Sequence, residues 1–176
     1  MINDIADLIK IQSKNIEHYN KYPIALIFLI MLILVVPITF LSSDNESPIT
    51  SALTLDLLEA FVLTFVEAIF FVYWFGRIGK NHTFLSFLHY NLMLSIAASI
   101  PVIAIILITK NFDASLWTAL IGELIAVSYI IYLLSVNLAL ATGSSKKYGF
   151  GAILIVILIE IISSTFIFSP LVSLGF

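Results

Sequence analysis

Four carboxylates stand inside long apolar runs of this chain: Glu59, Glu67, Glu123 and Glu160. A charged side chain near the centre of a bilayer costs about 2.5–3.5 kcal/mol on insertion scales. A carboxylate lowers that cost by keeping its proton or by sharing a cation. Glu59 and Glu123 fall within a turn or two of one end of their runs, where a carboxylate can reach the membrane interface. Glu67 and Glu160 lie deeper. Counted from Phe75 and Phe150, they sit roughly 12 and 15 Å into the apolar layer at 1.5 Å per residue. Glu59, Leu63 and Glu67 are spaced by four and share a helix side, and Glu160 shares a side with Ser163 and Ser164. Two such carboxylates with no basic residue in either run are expected to hold at least one proton between them, or to bind a small cation or lipid head group.

Other polar positions support that reading. Asn91, Ser95 and Ser99 recur every four residues in one apolar run, and Asn137 stands near the end of another. Small residues at this spacing let helix backbones approach closely. His82 and His89 are seven apart, but no further ligands at matching depth complete a metal site. Tyr129, Tyr132 and Tyr148 read as packing or interface anchors. The chain contains no HExxH, GxSxG or Ser–His–Asp pattern, so the reading is non-enzymatic, with no cofactor or metal.

These residues need elements to hold them, and composition says what kind. The 176 residues are 61% hydrophobic and 11% charged, with no cysteine and a formal net charge of -3. Soluble domains run at about 45–50% apolar and about 25% charged. The lipid bilayer is therefore the expected solvent, and nothing basic enough for nucleic acid is present. A run of about 20 apolar residues crosses the hydrocarbon layer as a helix. Five such runs predict an all-α bundle with spans near 22–41, 53–75, 88–108, 116–141 and 150–168. The proline at 37 is expected to kink the first span, and Pro101 lies well inside the third. A tail over 169–176 follows. Residues 1–21 form a polar leader with Ile2, Ile5, Leu8, Ile9 and Ile16 at helical intervals. It reads as an amphipathic helix at the membrane surface, or as a solvated segment packed on the rest of the protein.

Seven of the eight Lys and Arg residues fall on one side of this arrangement: Lys10, Lys14, Lys21, Arg77, Lys80, Lys146 and Lys147. Only Lys110 falls on the other. Positive loops stay in the cytoplasm, which predicts a cytoplasmic N-terminus and a C-terminus outside. Pro37 and Pro101 are 64 residues apart, as are Glu59 and Glu123. That coincidence suggests that spans one–two and three–four are parallel repeats.

Three stretches carry a family resemblance: GKNHTFLSFLHYNLMLSIAASIPV, SYIIYLLSVNLAL and SSKKYGFG. Over roughly Asn15 to Phe168 the chain resembles the Yip1 family, including its small bacterial inner-membrane members. The resemblance implies five spans, a cytoplasmic N-terminus and a short C-terminal end on the far side. Two functions follow as expectations. One is binding, or movement, of a proton, small cation or lipid head group at the carboxylates. The other is a membrane adaptor that meets a protein partner, or its own copies, through its cytoplasmic face.

Overall fold

A computed structural model describes residues 1–42, 49–111 and 116–168, with side chains described outside 35–56, 106, 109–120, 123 and 167–168. Every described element is helical. Helix α1 (Ile2–Ile9) and a 3-10 turn (Ile16–Lys21) form the leader. Helices α2 (Ile24–Ser42), α3 (Ile49–Gly76), α4 (Phe84–Asn111), α5 (Leu116–Thr142) and α6 (Lys146–Ser163) follow, and α6 runs into a π-helical turn at Ser164–Phe168.

Four stretches are long and apolar enough to cross a membrane: Leu57–Gly76, Phe84–Ile105, Leu124–Thr142 and Lys146–Phe166. Their outer faces carry large bare hydrophobics such as Ile69, Leu124, Ile125 and Leu158. Helices apolar on both the packed and the outward face suit lipid, and this architecture suggests a membrane-embedded protein. The described apolar part of α2, Ile24–Leu34, is shorter.

Helix ends follow local chemistry more than hydropathy. The third apolar run begins its helix at Phe84, four residues before the expected start, with the preceding Thr83 hydroxyl accepting from the Ser86 amide. Helix α6 likewise starts at Lys146, because the Ser145 hydroxyl caps it by accepting from the Tyr148 amide. At the same end of the bundle, the turns after α3 and α5 pass through Gly79 and Gly143, whose φ of 74° and 63° suit glycine. Helix α4 continues past Pro101 to Asn111.

Helices α3, α4, α5 and α6 pack as a ring. Helix α4 touches α3 and α5, and α6 touches α5 and α3. Helix α2 lies outside, against α3 and α4. Helices α5 and α6 approach closely at Gly149. A Cβ built on Gly149 would stand 2.5 Å from the Ser135 carbonyl oxygen and 3.1 Å from the Ala139 Cβ. Trp74 and Tyr148 tie α3 to α6 reciprocally. The Tyr148 hydroxyl donates to the Trp74 carbonyl at 2.6 Å, and the Trp74 indole N–H donates to the Tyr148 carbonyl at 3.4 Å.

The leader is docked on the bundle. Ile5 and Leu8 are buried, and Asp4 is 4% exposed. Lys14 Nζ reaches Asp4 at 2.5 Å, Lys21 Nζ at 2.9 Å and His18 Nε2 at 3.0 Å, and the Tyr22 hydroxyl donates to it as well. Burial alone would raise the Asp4 carboxyl, but hydrogen bonds from Lys14, Tyr22, Lys21 and His18 together hold it well below the usual carboxylate range. The hydrogen bond to Asp4 in turn raises Lys14 and Lys21. Further bonds anchor the leader to α4 and α5: Ser13 to Tyr90 at 3.1 Å, Asn20 to Ser86 at 2.9 Å, and Tyr129 to the Ile9 carbonyl at 3.1 Å.

Candidate functional site

Inside the ring the helices leave a cavity of about 410 Å³. Glu67 and Phe71 of α3 line it, with Asn91, Leu94, Ser95 and Ser99 of α4. The far walls come from α5 and from Ile153, Val156, Ile157 and Glu160 of α6. The small face Asn91–Ser95–Ser99 thus points inward, yet it borders open space instead of a tightly packed helix. Ser99 turns its hydroxyl back to the Ser95 carbonyl at 2.8 Å.

Two of the four carboxylates, Glu67 and Glu160, meet at this cavity, and Glu59 is not among its described lining residues. Glu67 is 7% exposed, and Asn91 Nδ2 donates to its Oε2 at 2.6 Å across the α3–α4 contact. Glu160 lines the same cavity, near enough for the two carboxyls to interact, and Glu59 is close enough to act on Glu160 through space. No Lys or Arg is among the described lining residues. Toward the leader, buried rings close the bundle. Phe71, Phe75 and Phe87 pack on one another with centroids 5.8–6.2 Å apart.

Other expected site residues lie elsewhere. Asn137 does not support the carboxylates. Its Nδ2 donates to the Leu8 carbonyl at 2.7 Å, so it anchors the leader near the end of α5, and its Oδ1 is buried with no hydrogen-bond partner among the described residues. Ser163 and Ser164 do not line the cavity, and Ser164 is exposed where α6 gives way to the π turn. The Glu123 side chain and that of the proline at 37 lie outside the described residues, and so does any comparison of the two halves of the 64-residue repeat. His82 pairs with Glu17 at 2.8 Å, and His89 Nδ1 bonds the Leu85 carbonyl at 2.8 Å. Among the described residues no group of three His, Asp or Glu side chains suits a metal.

Sequence reasoning missed the Asp4 hub, because its partners fold back from ten to eighteen positions away. Gly149 was also missed, since a close approach leaves no periodic signal. Comparison with protein-family models, curated proteins and solved structures finds no match to this chain.

Proposed function

We propose that this chain is a non-enzymatic membrane protein of the Yip1 type, with five spans and a cytoplasmic leader, that binds and moves a proton or small cation at the Glu67–Glu160 pair. One observation carries the reading: a cavity reaches both deep carboxylates, with a buried amide, Asn91, holding one of them. An adaptor could bury the same glutamates in closed helix–helix bonds without any space beside them. Two carboxyls on one cavity, with no basic partner among the described residues, are held together by a proton or a cation between them.

Helix α2 supplies the fifth crossing in this reading. The adaptor alternative draws on the docked leader, which presents Lys10, Glu17 and Lys21 outward.

The test is infrared difference spectroscopy of the carboxyl stretch during pH and cation titration in lipid. The wild type should show a protonated carboxyl band that shifts with pH or with added cation. Glu67→Gln and Glu160→Gln should each fold and should each alter that band. A spectrum in which neither variant changes the titrating band would remove the carboxylate site and leave the adaptor reading in front.

A further inference from the structure

The cavity is shaped for more than a bare ion. Its volume of about 410 Å³ falls in the range of roughly 300–1,000 Å³ that holds a drug-sized ligand. Most of its wall is hydrocarbon, with Leu94, Ile131, Leu134, Val156 and Ile157 prominent. Polar atoms gather at Glu67, Glu160 and Asn91, with Ser95 and Ser99 beside them. A calcium ion takes 6–8 oxygen ligands and magnesium near-ideal octahedral geometry. Among the described residues no group of three His, Asp or Glu side chains gathers to hold such an ion. An ammonium group asks for at most three acceptors, which the two carboxyls provide.

Charge points the same way. Glu67 is 93% buried and lines the cavity, yet its amide partner is neutral and its other neighbour is a second acid. The titratable group that faces it is Glu160 from α6, on which Glu59 of α3 acts at longer range; the described residues lining the cavity from α4 and α5 are uncharged. The side chains of Glu123 and of the aspartate at 56 lie outside the described residues. The acidic end therefore has no Lys or Arg beside it among the described residues, and the rest of the wall is apolar. One wall also reaches the outside: Val127 lines the cavity and is 55% exposed. On a membrane-embedded bundle that side meets acyl chains, where an amphiphile concentrates and a hydrated ion does not.

We propose that the cavity takes an amphiphilic organic monocation, whose ammonium sits between the Glu67 and Glu160 carboxyls and whose hydrocarbon body fills the apolar wall, in exchange for one proton. The proposal rests on the carboxylate reading above and names its ligand. The balance is simple. The cation enters, the proton shared by the two carboxyls leaves to water, and the charge of the site is unchanged. Binding should therefore tighten as pH rises.

The test uses the full chain in nanodiscs of zwitterionic lipid, with empty nanodiscs as the blank. Calorimetry compares 1-aminoadamantane with its neutral isostere 1-adamantanol, in buffers of different ionisation enthalpy. The amine should saturate, release about one proton and bind at least about tenfold more tightly than the alcohol, a gap of about 1.4 kcal/mol. The Glu67→Gln/Glu160→Gln variant should lose that preference. Ser95→Phe, which fills the cavity and leaves both acids in place, should weaken the amine while the infrared carboxyl band persists. This variant carries the test if the double variant fails to fold. Equal binding of amine and alcohol, or amine binding unchanged in Ser95→Phe, would overturn the proposal. Absence of amine binding beside a carboxyl band that still titrates would sink the organic-cation class alone. Absence of both would sink the carboxylate site with it.

Discussion

Asp4 shows how one buried charge can organise a segment that composition leaves ambiguous. Its side chain is 5% exposed, while those of Lys14 and Lys21 are 44% and 47% exposed. The cost of taking one carboxylate out of water is offset by several charge-assisted hydrogen bonds. The pH dependence follows from the shifts. Asp4 is depressed in the folded protein, so its contribution is fully present above the ordinary value of 3.8 and fades only as pH falls below it. Lys14 and Lys21 are raised, so theirs is present below 10.5 and is lost as pH climbs through their higher folded values. Leader docking should thus be flat from about pH 5 to pH 10 as far as these groups are concerned. The chain has no cysteine, so a spin label placed by Ile2→Cys reports the leader cleanly. Its mobility should stay constant over that window and rise sharply in Asp4→Asn. A label equally mobile in parent and variant would show that the hub does not hold the leader down.

At the scale of elements, close approach matters more than propensity. Gly149 lets α6 sit against the backbone of α5, where a methyl group would meet the Ser135 carbonyl oxygen at 2.5 Å. Two residues on, a Cβ at Gly151 would meet only the Trp74 ring at 3.6 Å, an ordinary contact. Gly149→Ala should therefore destabilise the bundle by about 1–3 kcal/mol, the usual cost of overpacking, and lower its melting temperature in detergent. Gly151→Ala should melt like the parent or slightly above it, since alanine is the better helix former. Matching melting temperatures for the two variants would mean that the α5–α6 contact gives way easily.

The same contrast explains what could be read from the chain. Glu67, Glu160 and Asn91 were legible because polar atoms inside an apolar run stand out, and counting by 1.5 Å fixes their depth. Asn137 was misjudged because depth alone does not tell which neighbour a side chain meets. The carbonyl of Leu8 arrives from the opposite end of the chain. Helix α6 began early because a serine cap acts on backbone donors that hydropathy does not register.

At the scale of the whole molecule, connectivity bears on the proposed fifth crossing. The ends of α3 and α5 and the starts of α4 and α6 lie at one end of the bundle, joined by turns at Gly79 and Gly143. The leader docks at that end too, through Ser86 and Tyr90 early in α4 and Asn137 late in α5. Helix α2 follows the leader directly and so starts there, whereas α3 finishes there and must start at the opposite end. The chain has to cover the height of the bundle between Ile24 and Ile49. The 19 residues of α2 rise about 28 Å, close to the roughly 30 Å of a hydrocarbon core. Seven of the eight basic residues belong to the leader side, and the proposed topology assigns that side to the cytoplasm on this ground. Reporter fusions that work only in the cytoplasm should be active after Lys80 and Lys147. Fusions that work only outside should be active after Glu46, Asp113 and Phe176. A fusion after Glu46 that reports cytoplasm would mean that α2 turns back without crossing. The start of α3 would then lie on the leader side with its end, a placement that a straight 28-residue helix of roughly 42 Å cannot satisfy, so the ring itself would have to be redrawn.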